Sequence, residues 1–196
     1  MRNYELRAQD FIKAIFPYIA NADNNLYRIS IGIDAYNTDF NRKVRMRHGI
    51  ARIALITSDY VVKFDYNKEE CAQYGGCENE YEFYNLAESE GFGYLFAKTS
   101  KFSYEGHDFY IMPRIHGIGK ECNYFREADE FMTYEETRWC ISHRLADLHY
   151  KNFGFRNGKI CIIDYACQLN KVHSSSPDTS SFSFSPIHTS DLFKSE

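Results

Sequence analysis

Three side chains that offer oxygen ligands lie close together in the segment from residue 147 to residue 164. We predict a short loop carrying Asp147 and Asn152, then a hairpin turn, then an apolar strand that ends on Asp164. This arrangement brings the three side chains to one end of a two-stranded unit. Mg²⁺ binds hard oxygen ligands and usually takes one or two carboxylates, with phosphates and water completing its shell. A further carboxylate can then accept a proton or position a nucleophile, so the pattern predicts hydroxyl chemistry beside a nucleoside triphosphate.

This spacing resembles the catalytic and metal loops of the protein-kinase-like superfamily, which includes eukaryotic-type protein kinases and the phosphotransferases related to aminoglycoside kinases. Asn152 follows Asp147 by five residues, as in the family pattern H-R-D-L-x-x-x-N. Asp164 begins a Asp-Tyr-Ala triplet in the place of D-F-G. The Leu-His after Asp147 is closer to the phosphotransferases and to compact bacterial or phage kinases. The resemblance implies ATP and Mg²⁺ as cofactors.

The resemblance also predicts a lysine on an upstream strand and a glutamate partner on the helix that follows. Lys63 lies in the apolar run Tyr-Val-Val-Lys-Phe, which is similar to the V-A-I-K strand of the family. Glu80 leads the apolar stripe of an amphipathic helix, as the family glutamate does, and we pair it with Lys63. Glu82 is the second choice.

The family roles map onto these positions as follows. Lys63, held by Glu80, would bind the α- and β-phosphates of ATP, while Asp164 and Asn152 would bind Mg²⁺. Asp147 would orient the acceptor hydroxyl and take its proton. Two alternatives stay open for Lys151, which either neutralises charge on the γ-phosphate or is a solvated loop cation.

Other candidate nucleotide contacts depart from the family pattern or are ambiguous. Only Gly49 is available where a glycine-rich loop is expected, so the backbone cradle for phosphate is thin. Met112 and Arg114 belong to the expected hinge, residues 112–117, where Met112 either lies near the base or packs in the core. Ala166 replaces the glycine of D-F-G, and no A-P-E follows. We therefore expect no activation segment and no large helical platform.

We predict an α+β fold, a minimal bilobal protein-kinase-like architecture with an antiparallel N-lobe sheet, one αC-like helix and a reduced helical C-lobe. The expected regions are an N-terminal helix and strand extension (1–40), a kinase-like N-lobe (41–117), a reduced C-lobe with the catalytic and metal loops (118–171), and a Ser-rich, disordered tail (172–196). The periodicity predicts helices over 4–20, weakened or ended by Pro17, over 77–90, and over 133–148, which buries Trp139, Ile141 and Leu145. It predicts strands over 27–33, 44–46, 53–57, 60–66, 94–102 and 109–115.

Composition limits the class of protein. The formal net charge of −4 and a pI near 6.0 argue against a nucleic-acid partner. The sequence has no apolar stretch long enough to cross a bilayer, and its first residues lack the apolar core of a secretory signal, so we expect no leader. Six cysteines without a C-x-x-C motif favour a reduced, cytoplasmic setting. One run is basic, comprising Arg42, Lys43, Arg45 and Arg47. We favour a solvated strand face for it over a position beside nucleotide phosphates or an acidic partner.

Four functions are compatible with these residues. The preferred one is a minimal protein Ser/Thr kinase that transfers the γ-phosphate of ATP to a host or cellular protein, in the host cytoplasm if the chain is encoded by a phage or pathogen. A small-molecule phosphotransferase is the second, although that class usually has a large helical C-lobe. A pseudokinase-type binding module and an enzyme that transfers AMP are the others. The sequence leaves the acceptor open.

Overall fold

A computed structural model of the chain describes residues 3–22, 25–117, 132–145 and 152–165. Within these ranges the protein is a mixed α+β structure that contains antiparallel sheets and several helices. The elements, in chain order, are α1 (Tyr4–Ile19), α2 (Leu26–Asp39), β1 (Arg45–His48), β2 (Arg52–Ile56), β3 (Tyr60–Asp65), α3 (Lys68–Tyr74), α4 (Cys77–Ser89), a 3₁₀ turn (Gly93–Leu95), β4 (Ser100–Tyr104), β5 (His107–Pro113), β6 (His116–Gly117), α5 (Tyr134–Ser142), β7 (Phe153–Arg156) and β8 (Lys159–Ile162). None of the helices in the described ranges has the length and apolarity that spanning a membrane requires.

The larger sheet has five antiparallel strands in the order β1-β2-β3-β5-β4. Side chains alternate between its two faces along each strand. Ile53 and Leu55 of β2 and Val62 of β3 are fully buried on the face that packs against α1 and α2. Met112 of β5 belongs to a second buried cluster on the other side. The sheet therefore separates two apolar clusters, and its second face is available to α4 and to the smaller sheet.

The predicted strand over 27–33 is wrong, because these residues lie inside α2. Buried Ile29, Ile33 and Tyr36 recur at a spacing of three and four residues, which suits a helix face. Asn25 caps the start of the helix, because its side chain accepts a hydrogen bond from the backbone N–H of Arg28. A seven-residue window fits both a strand and one stripe of a helix, so the alternation misled the assignment.

Helices α1 and α2 pack closely at Gly32. A Cβ at this position would lie 2.1 Å from the carbonyl oxygen of Tyr18, so only glycine allows this approach of the two backbones. Pro17 does not end α1, which continues to Ile19. The predicted helix-and-strand extension therefore contains two helices, α1 and α2, which cover one face of the sheet.

One further prediction needs correction, between α4 and β5. The stretch 94–102 is not one strand, since a 3₁₀ turn over Gly93–Leu95 precedes an extended segment and β4 starts only at Ser100. Leu95, Phe96 and Ala97 are all buried in succession, whereas a half-exposed strand would alternate. Ala97 donates its N–H to the carbonyl of Ile162, so this segment joins the two sheets. Helix α3 was not predicted.

The smaller sheet has the order β6-β7-β8 and contains the predicted hairpin. Its turn places Asn157 and Gly158 in the left-handed region, at φ 52° and 76°, which suits the primed turns of tight hairpins. Helix α5 has the capping box of Thr133 and Glu136. It ends at Ser142, and residues 146–148 lie outside the described residues. Trp139 and Leu145 are buried as predicted, but the prediction for Ile141 is wrong, since it is 51% exposed.

Candidate functional site

A buried ion pair between Lys63 and Glu80 is the centre of the site. Lys63 Nζ lies 2.9 Å from both carboxylate oxygens of Glu80, so the predicted contact is present. The Glu80 side chain is completely buried, and that of Lys63 is 11% exposed. Glu82, the second choice, is exposed on the same helix. Burial of both charges is tolerated only because each finds its partner.

The sequence of β3 explains why helix α4 presents Glu80 to Lys63. Asp65 follows Lys63 by two residues and therefore lies on the same face of the strand. Its Oδ1 accepts a hydrogen bond of 2.9 Å from the N–H of Cys77, the first residue of α4. Gly76 permits this contact, because a Cβ there would lie 2.6 Å from the Asp65 carboxylate. Glu80 follows Cys77 by three residues, about one helical turn, and so reaches back to Lys63.

Arg52 is a second cation of the site, and sequence reasoning missed it. Its Nη1 lies 2.9 Å from Glu80 Oε1, and its Nη2 lies 3.2 Å from Asp164 Oδ1. The β2–β3 register pairs Arg52 with Asp65 and Ala54 with Lys63, which puts Arg52 on the face of the sheet that carries Lys63. The strand pattern did carry a signal for this position. Arg52 lies two residues before Ala54 and next to Ile53, so it faces away from the side of the sheet on which Ile53 is buried.

Asp164 reaches the ion pair from the segment after β8. The backbone on both sides of it is fixed, since Lys63 Nζ donates to the carbonyl of Ile163 at 3.3 Å and the N–H of Tyr165 donates to Glu80 Oε1 at 3.3 Å. The Tyr165 ring is buried against Phe83 and Phe96. These contacts place the Asp164 carboxylate with its Oδ1 at 3.6 Å from Lys63 Nζ.

The two oxygens of Asp164 have different surroundings. Oδ1 is buried near Arg52 and Lys63, but neither cation makes a well-oriented hydrogen bond to it. The side chain as a whole is 46% exposed, so its exposure comes from its other atoms. Asp164 therefore offers carboxylate surface to solvent while one oxygen remains held by charge.

The charges of the neighbouring groups favour the ionised forms of Asp164 and Lys63. Burial by itself raises the pKa of Asp164, but the positive charges of Lys63 and Arg52 outweigh it and hold that pKa well below its usual range. Burial lowers the pKa of Lys63, and the negative charges of Glu80 and Asp164 more than reverse this. Burial also raises the pKa of Glu80 against the charges of both cations. The nearby carboxylate of Asp164 raises the pKa of Glu80 further. We nevertheless assign Glu80 as a carboxylate, because its two oxygens accept hydrogen bonds from Lys63, Arg52 and the N–H of Tyr165.

A cleft of about 420 Å³ adjoins this cluster, and its lining includes Lys63, Asp164 and Asn152. Asn152 is 7% exposed, and its backbone carbonyl accepts a hydrogen bond from the N–H of Ile163. This bond holds Asn152 beside Asp164. The structure thus brings Lys63, Glu80, Asn152 and Asp164 together. Asp147 and Lys151, which the sequence assigned to the same site, lie outside the described residues.

The remaining predicted contacts lie around the cleft. Met112 is buried at 2% exposure and Arg114 is half-buried, and both line the 420 Å³ cleft. Met112 also packs in the second apolar cluster, which agrees with the core alternative, while its place near a base stays a prediction. The N–H of Gly49 donates to the carbonyl of Arg52 and closes the β1–β2 hairpin. Gly49 lines a smaller cavity of about 230 Å³ that also contacts Lys63 and Asp164.

Another cavity, of about 580 Å³, lies beside the β2–β3 turn and is larger than the cleft. Its ion pair, Arg7 with Asp59, has side chains that are 33% and 48% exposed. An exposed pair of this kind holds little electrostatic energy. We therefore take the 420 Å³ cleft as the candidate site, because the buried Lys63–Glu80 pair adjoins it and its charged groups converge from four segments: β2, β3, α4 and the residues after β8.

No protein-family model matches the chain, and a search of curated proteins finds no significant match. The function is therefore argued from the geometry of the site.

Proposed function

We propose that the protein is an ATP- and Mg²⁺-dependent phosphotransferase with a minimal bilobal protein-kinase-like fold. The observation that carries this proposal is the buried Lys63–Glu80 pair, with Asp164 Oδ1 3.6 Å from the same ammonium, on the wall of a cleft of about 420 Å³. A lysine held by a helix glutamate next to a metal-binding aspartate is the arrangement that phosphoryl transfer uses to hold a triphosphate.

In this proposal each residue has one task. Lys63 contacts the α- and β-phosphates, and Glu80 keeps its ammonium charged and aimed into the cleft. The base of the nucleotide lies at the hinge side, between Met112 and Arg114. Asp147, outside the described residues, orients the acceptor hydroxyl and takes its proton. Catalysis of this type comes from positioning and from stabilisation of charge on the transferred phosphoryl group.

The residues present fit a magnesium ion that is shared with phosphate. Asp164 Oδ1 is buried without a well-oriented hydrogen bond, and the same side chain is exposed to the cleft that Asn152 lines. The described residues contain no cluster of three or more His, Cys, Asp or Glu side chains. Mg²⁺ does not need one when phosphates and water supply its other ligands. When bound, the ion would neutralise charge on the phosphates, and Asp164 and Asn152 would hold it.

The acceptor that we favour is a Ser or Thr hydroxyl of a cellular protein, or of a host protein if the chain is encoded by a phage or pathogen. The test is to incubate the protein and a lysate with Mg²⁺ and ATP labelled at the γ or, separately, at the α position. Label from the γ position on protein supports a kinase, and label on a small molecule supports a small-molecule phosphotransferase. Label from the α position indicates transfer of AMP and contradicts the proposal.

Two variants make this test specific. Lys63→Met removes the buried ammonium and is expected to abolish labelling. Lys68→Met removes an exposed lysine at the start of α3 and should label like the wild type. Thermal unfolding of both variants shows whether either has lost its fold. Undiminished labelling by a folded Lys63→Met protein would contradict the proposal.

A second candidate is a nucleotide-binding module without transferase activity. Arg52 favours it, because its guanidinium lies 3.2 Å from Asp164 Oδ1, and a cation beside this carboxylate can take the place of Mg²⁺. The two candidates differ in how Mg²⁺ affects nucleotide binding. A phosphotransferase should bind ATP more tightly as Mg²⁺ is added, whereas the module should bind it equally well in excess EDTA and transfer no label.

A further inference from the structure

Two arginines of β1, Arg45 and Arg47, lie beside the cleft. Arg45 and Arg47 both line the 420 Å³ cavity, because alternate residues of a strand share a face. Both are exposed, and neither forms an ion pair with any residue that the structure describes. From sequence alone we favoured a solvated strand face for this basic run. The position of the two side chains makes them candidates for binding an anion instead.

The strand register places Arg47 level with the Lys63 ammonium. Arg47 pairs with Ala54 on β2, and Ala54 pairs with Lys63 on β3, so the three side chains lie on one face in a row. Neighbouring strands are about 4.8 Å apart, so Arg47 and Lys63 stand about 10 Å apart across the sheet. The small side chain of Ala54 leaves the space between them open. A phosphate chain can therefore contact both cations.

Arg47 also lies where two cavities meet. The 420 Å³ cleft extends toward the hinge side, and the 230 Å³ cavity extends toward Gly49. Arg47, Ala54, Lys63 and Asp164 line both of them. Arg45 lines only the first, since its row in the sheet runs through Ile56 and Val61 to Met112. A nucleotide with its base at the hinge side would thus bring its phosphates to Arg47.

The charges of the buried cluster balance one another, so an additional cation is needed to bind the phosphates. The positive charges of Lys63 and Arg52 are matched by the negative charges of Glu80 and Asp164, so the buried cluster sums to zero. A triphosphate carries several negative charges, and the N–H of Gly49 in the β1–β2 turn already donates to the carbonyl of Arg52. An arginine can supply what is missing, because its planar guanidinium binds phosphate through two parallel hydrogen bonds.

We propose that Arg47 binds the phosphate chain of the nucleotide from β1 and does with a side chain what a glycine-rich turn does with backbone amides. This inference rests on the proposed nucleotide-binding function of the same cleft. If Arg47 binds the phosphate chain, the affinity of the cleft for a nucleotide should rise with the number of phosphates that the nucleotide carries.

The test is calorimetric titration of the full chain, in Mg²⁺, with AMP, ADP and a non-hydrolysable ATP analogue. For the wild type we expect affinity to rise with each phosphate. For Arg47→Gln we expect about tenfold weaker binding of the triphosphate and almost no change for AMP, which is the usual effect of losing a charge-assisted hydrogen bond. Arg47→Lys keeps the charge but loses the two parallel N–H donors of the guanidinium. Its affinity for the triphosphate should therefore lie between those of the wild type and Arg47→Gln.

The matched control is Arg42→Gln. It removes the same charge from the same basic run, but Arg42 lines the 580 Å³ cavity beside the β2–β3 turn instead. If Arg47→Gln binds the three nucleotides as the wild type does, or if Arg42→Gln weakens the triphosphate equally, the assignment of Arg47 is overturned while the nucleotide site stands. If the wild type binds neither these nucleotides nor inorganic tripolyphosphate, both the assignment and the proposed function are overturned.

Discussion

Replacing Glu80 by Gln tests the centre of the site, because it removes one charge and almost no volume. Glu80 is completely buried, and its oxygens accept hydrogen bonds from Lys63, Arg52 and the N–H of Tyr165. In Glu80→Gln two cations remain beside one carboxylate, that of Asp164, and the new amide directs N–H groups at donors. Breaking a buried ion pair by removing one partner costs about 3–5 kcal/mol.

We expect the lower end of that range, because Asp164 Oδ1 lies 3.6 Å from Lys63 Nζ and 3.2 Å from Arg52 Nη2 and compensates part of the lost charge. A decrease of about 3 kcal/mol in the free energy of unfolding corresponds to a thermal midpoint lower by about 6–12 °C in a chain of this size. Urea denaturation, with calorimetry as a second probe, measures both quantities.

Glu82→Gln is the control, since it makes the same chemical change two residues along α4 at an exposed position. Exposed substitutions of this kind usually alter stability by less than about 0.5 kcal/mol. The reasoning is refuted if Glu80→Gln and Glu82→Gln lower the free energy of unfolding equally, because the buried carboxylate would then contribute no more than a surface one.

Three further predictions concern neighbouring parts of the site and the fold. Lys63 and Arg52 hold the pKa of Asp164 below its unfolded value, so Asp164 stabilises the fold above about pH 4, and this contribution is lost as the pH falls. In urea titrations from pH 5 to pH 2, Asp164→Asn should therefore lose less stability per pH unit than the wild type. An equal dependence of stability on pH in the two proteins would contradict the ion network. Tyr165→Phe should lower the free energy of unfolding by about 1–3 kcal/mol, because the buried hydroxyl is 2.6 Å from both Ala97 O and Thr99 Oγ1 and its removal leaves them without this partner; Tyr134→Phe, at an 80% exposed tyrosine, is the control. Gly32→Ala should destabilise the protein by about 2 kcal/mol or more, because the added Cβ meets the Tyr18 carbonyl, whereas Gly49→Ala, with no atom within 4 Å of the added Cβ, should have little effect on the thermal midpoint.

The resemblance to kinases located Lys63, Glu80 and Asp164 from sequence because each has a fixed place relative to a strand or a helix. Lys63 interrupts an apolar strand, Glu80 leads a helix stripe, and Asp164 follows another apolar strand. The structure brings these three together. It does not describe Asp147 or Lys151, so their places in the site stay predictions.

Arg52 could not be found by the same reasoning, because its role depends on the register between strands. An arginine beside a turn at the start of a strand is usually a surface residue. Only the pairing of Ala54 with Lys63 puts Arg52 on the cleft side. The prediction of a strand over 27–33 was wrong for a related reason. Ile29 and Ile33 are core residues in α2, but seven residues alone cannot distinguish a helix stripe from an alternating strand.

Glu80 also links the five-stranded sheet to the segment that follows the smaller sheet. Its carboxylate bonds to residues 28 positions earlier on β2, 17 positions earlier on β3 and 85 positions later, after β8. Bonds of such different separations form only when the five-stranded sheet, α4 and the smaller sheet have all packed. The groups that face the cleft thus reach their positions together, and a shift of α4 would move Lys63 and Asp164 at once. Since the first N–H of α4 is held by Asp65 on the lysine strand itself, that hydrogen bond helps to set where Glu80 meets the ammonium of Lys63.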